Sequence, residues 1–380
     1  MTIIPSARDR FAIPDDVHYL NCAYMAPLAH EVQAAMMASV DGKRTPWTYT
    51  PDMFFSTVAA FRSRAARLVG CTERDIAIAP SVSYALATAA RNIDVPAGSE
   101  IVVLDAQFPS NVYAWQTKAR DAGARVVTVA RAANGWTDAV LAAIGPKTAI
   151  VAVPQCHWAD GGALDLVAIG AAAQAAGAAL VLDLTQSLGA MPFDLSAVQP
   201  DYMVAATYKW LLGPYGTALI YIAPHRQDGV PLEENWMNRA GSEDFAGLTD
   251  YTEDYQPGAA RFDMGEKSNP PLMNGAAAAL DLIDDWGVEN IAETLGGRTA
   301  QIAAAARELG LTADDEPVRA PHFLSLGFPN GVPTGLMARL SAANVFVSLR
   351  GASLRVTPHL WTTDHDVDTL IERLGALVRA

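Results

Sequence analysis

A lysine follows a run of residues that is typical of a buried strand. The segment TYKWLLGPYG places Lys209 shortly after the apolar run that begins at Asp201, and a Gly-Pro turn comes next. Hydrophobic surroundings lower the pKa of a lysine and leave it as an amine that can act as a nucleophile. A surface cation at the end of a strand is the alternative interpretation. Lys209 by itself does not decide between the two.

Other side chains that could take part in chemistry also lie where apolar runs end. Asp183 lies in VLDLTQS, Phe108 lies in DAQFPSN, and Val82 and Ser83 lie in APSVSYALA, where a helix is predicted to begin. Singly, they fit a turn carboxylate, a core aromatic ring and a helix cap. Together with Lys209 they meet the needs of pyridoxal phosphate, which requires a lysine for its aldehyde and an acid for its pyridine nitrogen. A helix N-terminus suits its phosphate.

Short apolar runs alternate with helical segments from about residue 60 onward. The runs are DIAIA, EIVVLD, RVVTVA, TAIVAVP, ALVLDL and TALIYIA. Strands of this kind, separated by helices, predict an α/β fold with a mainly parallel, mixed sheet that is covered on both faces. Ligands of such sheets bind at the C-terminal ends of the strands, which is where Asp183 and Lys209 fall.

The pattern changes in the second half of the chain. The stretch from Glu233 to Pro271 has no sustained period, and a loop of that length is usually functional. Helical patterns follow, then the strand-like segments HFLSLGF, VFVSLRG and SLRVTPH and a closing helix. We predict an N-terminal segment at residues 1–20, a large cofactor-binding domain at 21–257 and a smaller α+β domain at 258–380.

From YLNCAYMAP to SLRVTPHLWTT, the chain resembles the class V aminotransferase family, fold-type I pyridoxal phosphate enzymes that include cysteine desulfurases and kynureninases. The resemblance implies a fold of type I, and it implies pyridoxal 5'-phosphate as the cofactor. LDLTQS is similar to the family's D-x-x-Q motif, which implies Asp183 at the pyridine nitrogen and Gln186 beside the ring hydroxyl. TYKW resembles the Schiff-base segment, which implies that Lys209 forms the imine and that Tyr208 contacts the phosphate.

Three other segments extend the resemblance. QFPSN is similar to the kynureninase-like version in which an aromatic residue, here Phe108, stacks on the cofactor ring. SVSYALA occupies the place of the phosphate-binding segment, which implies Val82 and Ser83. RFDMGEKSN resembles R-F-E-x-G-T, a loop that reaches the neighbouring subunit's cofactor, and this implies a homodimer with shared active sites. Glu266 stands where that motif has threonine.

The candidates for substrate binding come from three places in the chain. SLRVTPHLWTT matches the family's layout around the arginine that binds the substrate carboxylate, which implies Arg355, with Arg350 as a rival. Tyr24 lies in the segment that resembles the family's N-terminal part of the active site. His157 and Trp158 follow a predicted strand at the position where the family presents groups over the cofactor.

Composition limits the classes of partner. The 380 residues are 51% hydrophobic with a formal net charge of -14, which disfavours binding to nucleic acid or to anionic membranes. Without a signal-like start or a membrane-spanning run, we expect a cytoplasmic protein. Cys22, Cys71 and Cys156 lack CxxC spacing, so we predict neither disulfides nor a metal site. A small-molecule amino acid substrate is expected.

Several reactions are compatible with these motifs. No cysteine precedes the candidate carboxylate-binding arginine, which argues against the persulfide chemistry of desulfurases. We predict a class V aminotransferase; a lyase or epimerase that depends on pyridoxal phosphate is the alternative, and a non-catalytic regulatory protein on the same fold is another. Aromatic residues that could line the pocket favour a substrate with an apolar or aromatic part. They are Trp47, Tyr49 and Trp210.

Overall fold

The computed structural model describes residues 2–379, and its helices and strands follow each other as an α/β protein. The strands are β1 (His18–Tyr19), β2 (Ile76–Ala79), β3 (Glu100–Leu104), β4 (Arg125–Val129), β5 (Thr148–Pro154), β6 (Ala179–Asp183), β7 (Tyr202–Ala206), β8 (Ala218–Ile222), β9 (Leu324–Gly327), β10 (Val345–Phe346), β11 (Ser348–Arg350) and β12 (Ser353–Val356). The α-helices are α1 (His30–Gly42), α2 (Met53–Val69), α3 (Val82–Asn92), α4 (Ser110–Ala122), α5 (Thr137–Ala143), α6 (Leu166–Ala176), α7 (Leu195–Val198), α8 (Pro270–Trp286), α9 (Val288–Glu308), α10 (Leu336–Ala342) and α11 (Asp364–Val378).

A seven-stranded sheet in the order β2-β8-β7-β6-β5-β3-β4 forms the centre. Strands β4, β3, β5, β6 and β7 are parallel, while β8 runs antiparallel to both of its neighbours. The prediction of a mainly parallel, mixed sheet is therefore confirmed. The sequence pattern did not reveal the direction of β8, because a buried strand has the same apolar composition in either direction.

Both faces of this sheet are buried, as continuous apolar strands require. Ile101 and Val103 of β3 pack on the side of α3 and α4, where Trp115 is also fully buried. Val102 and Leu104 face the opposite layer, to which α2, α5, α6 and α8 contribute. The alternation along a single strand follows from the two-residue period of side chains in a strand.

A smaller antiparallel sheet in the order β11-β12-β9 lies in the C-terminal part of the chain. The pattern VFVSLRG, predicted as one strand, is divided between β10, which pairs with β1, and β11, which pairs with β12. Helix α8 packs against α1 and α2. The domain boundaries proposed from the sequence stay predictions. Among the described residues, no helix combines the length and apolar composition that crossing a membrane requires.

Candidate active site

A cavity of about 190 Å³ opens at the C-terminal edge of the parallel strands. Pro154 and Asp183, the last residues of β5 and β6, are register partners and both line it. Other lining side chains predicted from the sequence are Val82, Ser83, Phe108, Trp158, Gln186, Tyr208 and Lys209. The structure thus brings most of the predicted site into one place.

A tight turn directs Lys209 into this cavity. Lys209 comes three residues after the end of β7, and its carbonyl accepts a hydrogen bond from Leu212 N at 3.0 Å. Gly213 N then donates to Thr207 O at 2.8 Å, and a Cβ atom at Gly213 would lie 2.8 Å from Thr207 Cβ. Only glycine permits so close an approach, so the chain can reverse directly after the lysine.

Burial controls the protonation of Lys209. Its side chain is 6% exposed, and Nζ lies 5.4 Å from the ring centroid of Phe108 and 5.4 Å from that of Tyr208. Burial lowers the pKa of Lys209 to about 8; Asp183 opposes this change and Arg355 adds to it. About a tenth of the Lys209 side chains are therefore unprotonated at pH 7, and the fraction reaches about half near pH 8.

A carboxylate and an amide lie beside the lysine. Burial raises the pKa of Asp183, while the hydrogen bond from Thr185 N at 3.0 Å and the charge of Lys209 act in the opposite direction. Gln186 donates through Nε2 to Ala23 O at 3.1 Å and accepts from the indole N–H of Trp210 at 2.9 Å. The second Nε2 hydrogen of Gln186 stays available for a ligand.

The N-terminus of α3 forms another wall. Ser81 caps this helix by accepting a hydrogen bond from Tyr84 N at 3.2 Å, and Val82 and Ser83 are its first two residues. The hydroxyl groups of Ser83 and Ser110 lie 2.8 Å apart. Helix N-termini carry free N–H groups and a partial positive charge, so this wall suits a phosphate.

Aromatic rings cover other sides of the cavity. The rings of Phe108 and Trp158 meet edge to face with centroids 5.4 Å apart, and the Trp158 indole donates to Ala106 O at 2.7 Å. The rings of Tyr208 and Tyr215 lie 4.6 Å apart. Burial raises the pKa of Tyr208 to about 12, so its hydroxyl stays protonated.

Arg355 lies on β12 of the smaller sheet and contacts Trp158 of the cavity wall. Its side chain is only 1% exposed, and Nη1 donates to Trp158 O at 2.9 Å. Nη2 contacts Ser348 Oγ at 3.4 Å, whereas the buried Nε has no hydrogen-bond partner among the described residues. Burial and then Arg350 lower the pKa of Arg355 to about 10, at which the group is still charged at neutral pH.

Other predicted residues lie outside the cavity wall. Tyr24 is 56% exposed, and Trp47 is 79% exposed. His157 is buried, and its ring nitrogens contact Asp105 O at 3.2 Å and Asp160 Oδ1 at 3.0 Å. Tyr24, His157 and Arg355 are not lining residues, and their substrate-binding roles stay predictions.

The polar lining residues that the sequence analysis missed include Ser110, Asn111 and Thr217. Thr217 is buried, and its hydroxyl has no hydrogen-bond partner among residues 2–379. It reaches the cavity because the antiparallel β8 begins at the edge where the parallel strands end. The sequence signal was weak, because a threonine ahead of a buried strand has no distinctive pattern.

Among residues 2–379, no three His, Cys, Asp or Glu side chains are grouped as metal ligands would be.

Comparison with known proteins assigns the family. The sequence model described as aminotransferase class-V matches residues 48–356. This chain belongs to the class V aminotransferase family. Among its relatives, an uncharacterized aminotransferase, YcbU, of Bacillus subtilis is 28% identical over 83% of this chain and 82% of its own length.

Two further class V relatives carry names of other activities. An isopenicillin N epimerase of Streptomyces clavuligerus is 25% identical over 98% of this chain and 97% of its own length. A kynureninase of Deinococcus radiodurans is 29% identical over 73% of this chain and 68% of its own. As a class V chain, the protein is an enzyme of transferase or lyase type, which favours catalysis over the regulatory alternative.

Solved structures share the class V fold. The structure of a C-DES mutant with glycine covalently linked to its pyridoxal phosphate superposes with a TM-score of 0.88 at 19% identity, covering 97% of this chain and 99% of that one. A cysteine desulfurase from Thermococcus onnurineus NA1 gives 0.85 at 19% identity, with complete coverage of both chains. The fold-type I prediction is confirmed.

The residues of this class V site fit pyridoxal phosphate, which is the cofactor. A buried amine, a buried carboxylate and a helix N-terminus line one cavity. The Thr217 hydroxyl, which has no hydrogen-bond partner among the described residues, offers a further polar contact. Lys209 would hold its aldehyde, Asp183 its pyridine nitrogen, and the first turn of α3 its phosphate. When bound, the cofactor withdraws electrons from the α-carbon of an attached amino acid.

Proposed function

We propose that this enzyme is an aminotransferase that acts on a free α-amino acid. The observation that carries the proposal is the position of Lys209, a buried amine with a pKa of about 8 in the cavity wall. Such a group can remove the α-proton of a substrate and deliver it from the same side to a different carbon, as transamination requires. Transamination needs only this one proton carrier.

Other titratable groups in the cavity wall are weaker candidates for that step. Burial raises the pKa of Tyr208 to about 12 and that of the Cys156 thiol well above its ordinary value, so both are protonated near neutrality. Asp183 is required for the cofactor's ring nitrogen. The cavity wall therefore supports a mechanism with one base rather than two.

Arg355 completes the proposed substrate site. A guanidinium presents N–H groups in a planar fork that matches a carboxylate. Nε of Arg355, which has no hydrogen-bond partner within residues 2–379, is such a donor, and burial strengthens its attraction for an anion. Fixing the α-carboxylate here would orient the α-proton toward Nζ of Lys209.

A lyase or epimerase is the second candidate. It is supported by the alignment with isopenicillin N epimerase, which covers nearly the whole of both chains. Epimerisation by two bases would require a second proton carrier opposite Lys209. The protonated side chains of Tyr208 and Cys156 do not supply a base near neutral pH.

The reaction can be identified from its products. The holoenzyme would be incubated with a panel of amino acids, with and without a keto acid acceptor, while keto acid, ammonia and substrate chirality are measured. We expect keto acid in amounts that depend on the acceptor, without release of ammonia. Ammonia with pyruvate would identify a lyase, and inversion of chirality without keto acid an epimerase; either result would refute the aminotransferase proposal.

We also propose that the enzyme works in the cytoplasm as a homodimer with shared active sites. Apolar side chains near the loop that holds Glu266 support this. One open pocket is lined by Val40, Tyr49, Phe54 and Glu266. Val40 and Trp47 are 50% and 79% exposed. Exposed apolar surface of this kind marks interaction sites. Sedimentation of the holoenzyme at the mass of one chain would contradict the dimer.

A further inference from the structure

Two arginines lie on the same face of the β11–β12 hairpin. Arg350 is the register partner of Ser353, and Ser348 is the register partner of Arg355. Leu354, between the two partners on β12, is fully buried in the core of the smaller sheet. Since side chains alternate along a strand, Arg350 and Arg355 both lie on the opposite face. They are diagonal neighbours, which in antiparallel sheets lie about 7 to 8 Å apart.

Both guanidinium groups contact Trp158. Arg355 Nη1 donates to its main-chain oxygen at 2.9 Å, and the guanidinium carbon of Arg350 lies 5.5 Å from the centroid of its indole ring. Trp158 lines the cavity and packs against Phe108. The two cations therefore flank a single residue of the cavity wall.

Neither cation has an acidic partner in the described part of the chain. Within residues 2–379, no carboxylate lies within 4.0 Å of the guanidinium nitrogens of Arg350 or Arg355. Among the described residues, the Arg350 side chain donates only to Leu349 O, at 2.8 Å, and Arg355 Nε has no partner. Two neighbouring positive charges repel each other, and their positive potential favours an anionic ligand.

We propose that the substrate carries a second anionic group, as a dicarboxylic α-amino acid does, and that Arg350 binds it while Arg355 binds the α-carboxylate. This inference rests on the proposed function, because it takes the amino acid as bound at Lys209. It gives the two arginines different tasks, where the sequence motif presents them as rivals for one. It also changes the expected side chain of the substrate from an apolar or aromatic group to a short anionic one. Trp158 would lie beside that group.

Equilibrium binding tests the proposal without requiring turnover. The holoenzyme would be titrated calorimetrically with glutarate, which has two carboxylates and no amine, and with valerate, which has one carboxylate. We expect the parent enzyme to prefer glutarate, and Arg350→Met to weaken glutarate binding by about thirtyfold or more while leaving valerate unchanged. Arg355→Met should weaken both ligands. Arg339→Met, which removes an exposed cation from α10, is the matched control and should change neither.

A second variant guards against a change in folding. Arg350→Lys keeps the charge without the planar fork and should retain part of the preference for glutarate. Equal glutarate affinity in the parent and Arg350→Met enzymes, or no preference in the parent, would overturn the proposal. Sulfinate and phosphonate analogues of glutarate would show whether the second group must be a carboxylate; tighter binding of either would overturn the dicarboxylic assignment. Failure to form keto acid from any amino acid would instead refute the aminotransferase, even if glutarate binding behaved as expected.

Discussion

Arg355 donates a hydrogen bond from Nη1 to the main-chain oxygen of Trp158 at 2.9 Å, across 197 positions of the chain. This contact joins the small sheet to the segment that follows β5 of the central sheet. It places a buried cation next to the cavity that holds Lys209. The relative position of the two sheets is therefore part of the proposed substrate site.

The Arg355 contact predicts a selective defect in substrate binding. Replacement of Arg355 by Lys or Ala should raise KM for the amino acid greatly, because loss of one partner of a charged hydrogen-bonded pair costs about 2 to 5 kcal/mol. The absorption spectrum of the bound cofactor should not change. Steady-state kinetics and a spectrum of each variant check this. An unchanged KM in Arg355→Ala, together with a raised KM in Arg350→Ala, would show that Arg350 is the ligand of the α-carboxylate.

Asp183 should control turnover more than folding. Asp183→Asn removes the negative charge that favours a protonated pyridine nitrogen, so kcat should fall strongly at saturating cofactor. Thermal unfolding should show an intact fold, because the amide has nearly the same shape. Asp194→Asn, at the exposed cap of α7, is the control and should have normal turnover. A kcat near that of the parent in Asp183→Asn would remove Asp183 from the catalytic assignment.

Much of this arrangement can be predicted from sequence, because Asp183 and Lys209 follow apolar runs of parallel strands whose C-terminal ends share one edge. Thr217 could not be predicted, since it lines the cavity only because β8 is antiparallel. The choice between Arg350 and Arg355 also depends on register, which places both on one face. A motif specifies residue types and their spacing along the chain, but not the direction and register of the strands that carry them.

Lys209 should make the apoenzyme more stable as the pH rises. Its folded-state pKa, about 8, is below the value of about 10.4 for an unfolded lysine. Between these values the unfolded chain binds more protons, so the free energy of unfolding should increase with pH in that window. Urea unfolding of the apoenzyme and of Lys209→Met between pH 8 and 10 isolates this contribution as the difference between them. A difference that stays constant or falls over this range would contradict the lowered pKa.

Asp263 should be important for stability rather than chemistry. The carboxylate is fully buried and contacts Arg62 at 2.5 Å and Lys267 at 2.7 Å. Burial alone would raise its pKa, but these two cations keep the pKa below the ordinary value. Removing one partner of a buried ion pair costs about 3 to 5 kcal/mol, so Asp263→Ala should lower the free energy of unfolding by about that amount.

The pH dependence provides a second readout for Asp263. Because its folded pKa is lowered, its contribution is present above the unfolded pKa of about 3.9 and is lost as the pH falls through the folded value. Urea unfolding at neutral pH and at progressively lower pH measures this contribution. The Asp281→Ala control removes a half-exposed partner of Arg64 and should cost far less. Equal losses of stability in both variants would contradict the importance of the buried pair.

The central claim is that Lys209 is the amine that holds the cofactor and moves the substrate proton. Borohydride reduction of the holoenzyme, followed by peptide mapping by mass spectrometry, locates the cofactor's attachment directly. We predict that the pyridoxyl group is found on Lys209 and that Lys209→Ala incorporates none, because alanine has no amine. Lys43→Ala, which changes an exposed lysine, should be labelled like the parent. Labelling of another lysine in the parent, or stable incorporation into Lys209→Ala, would contradict the account.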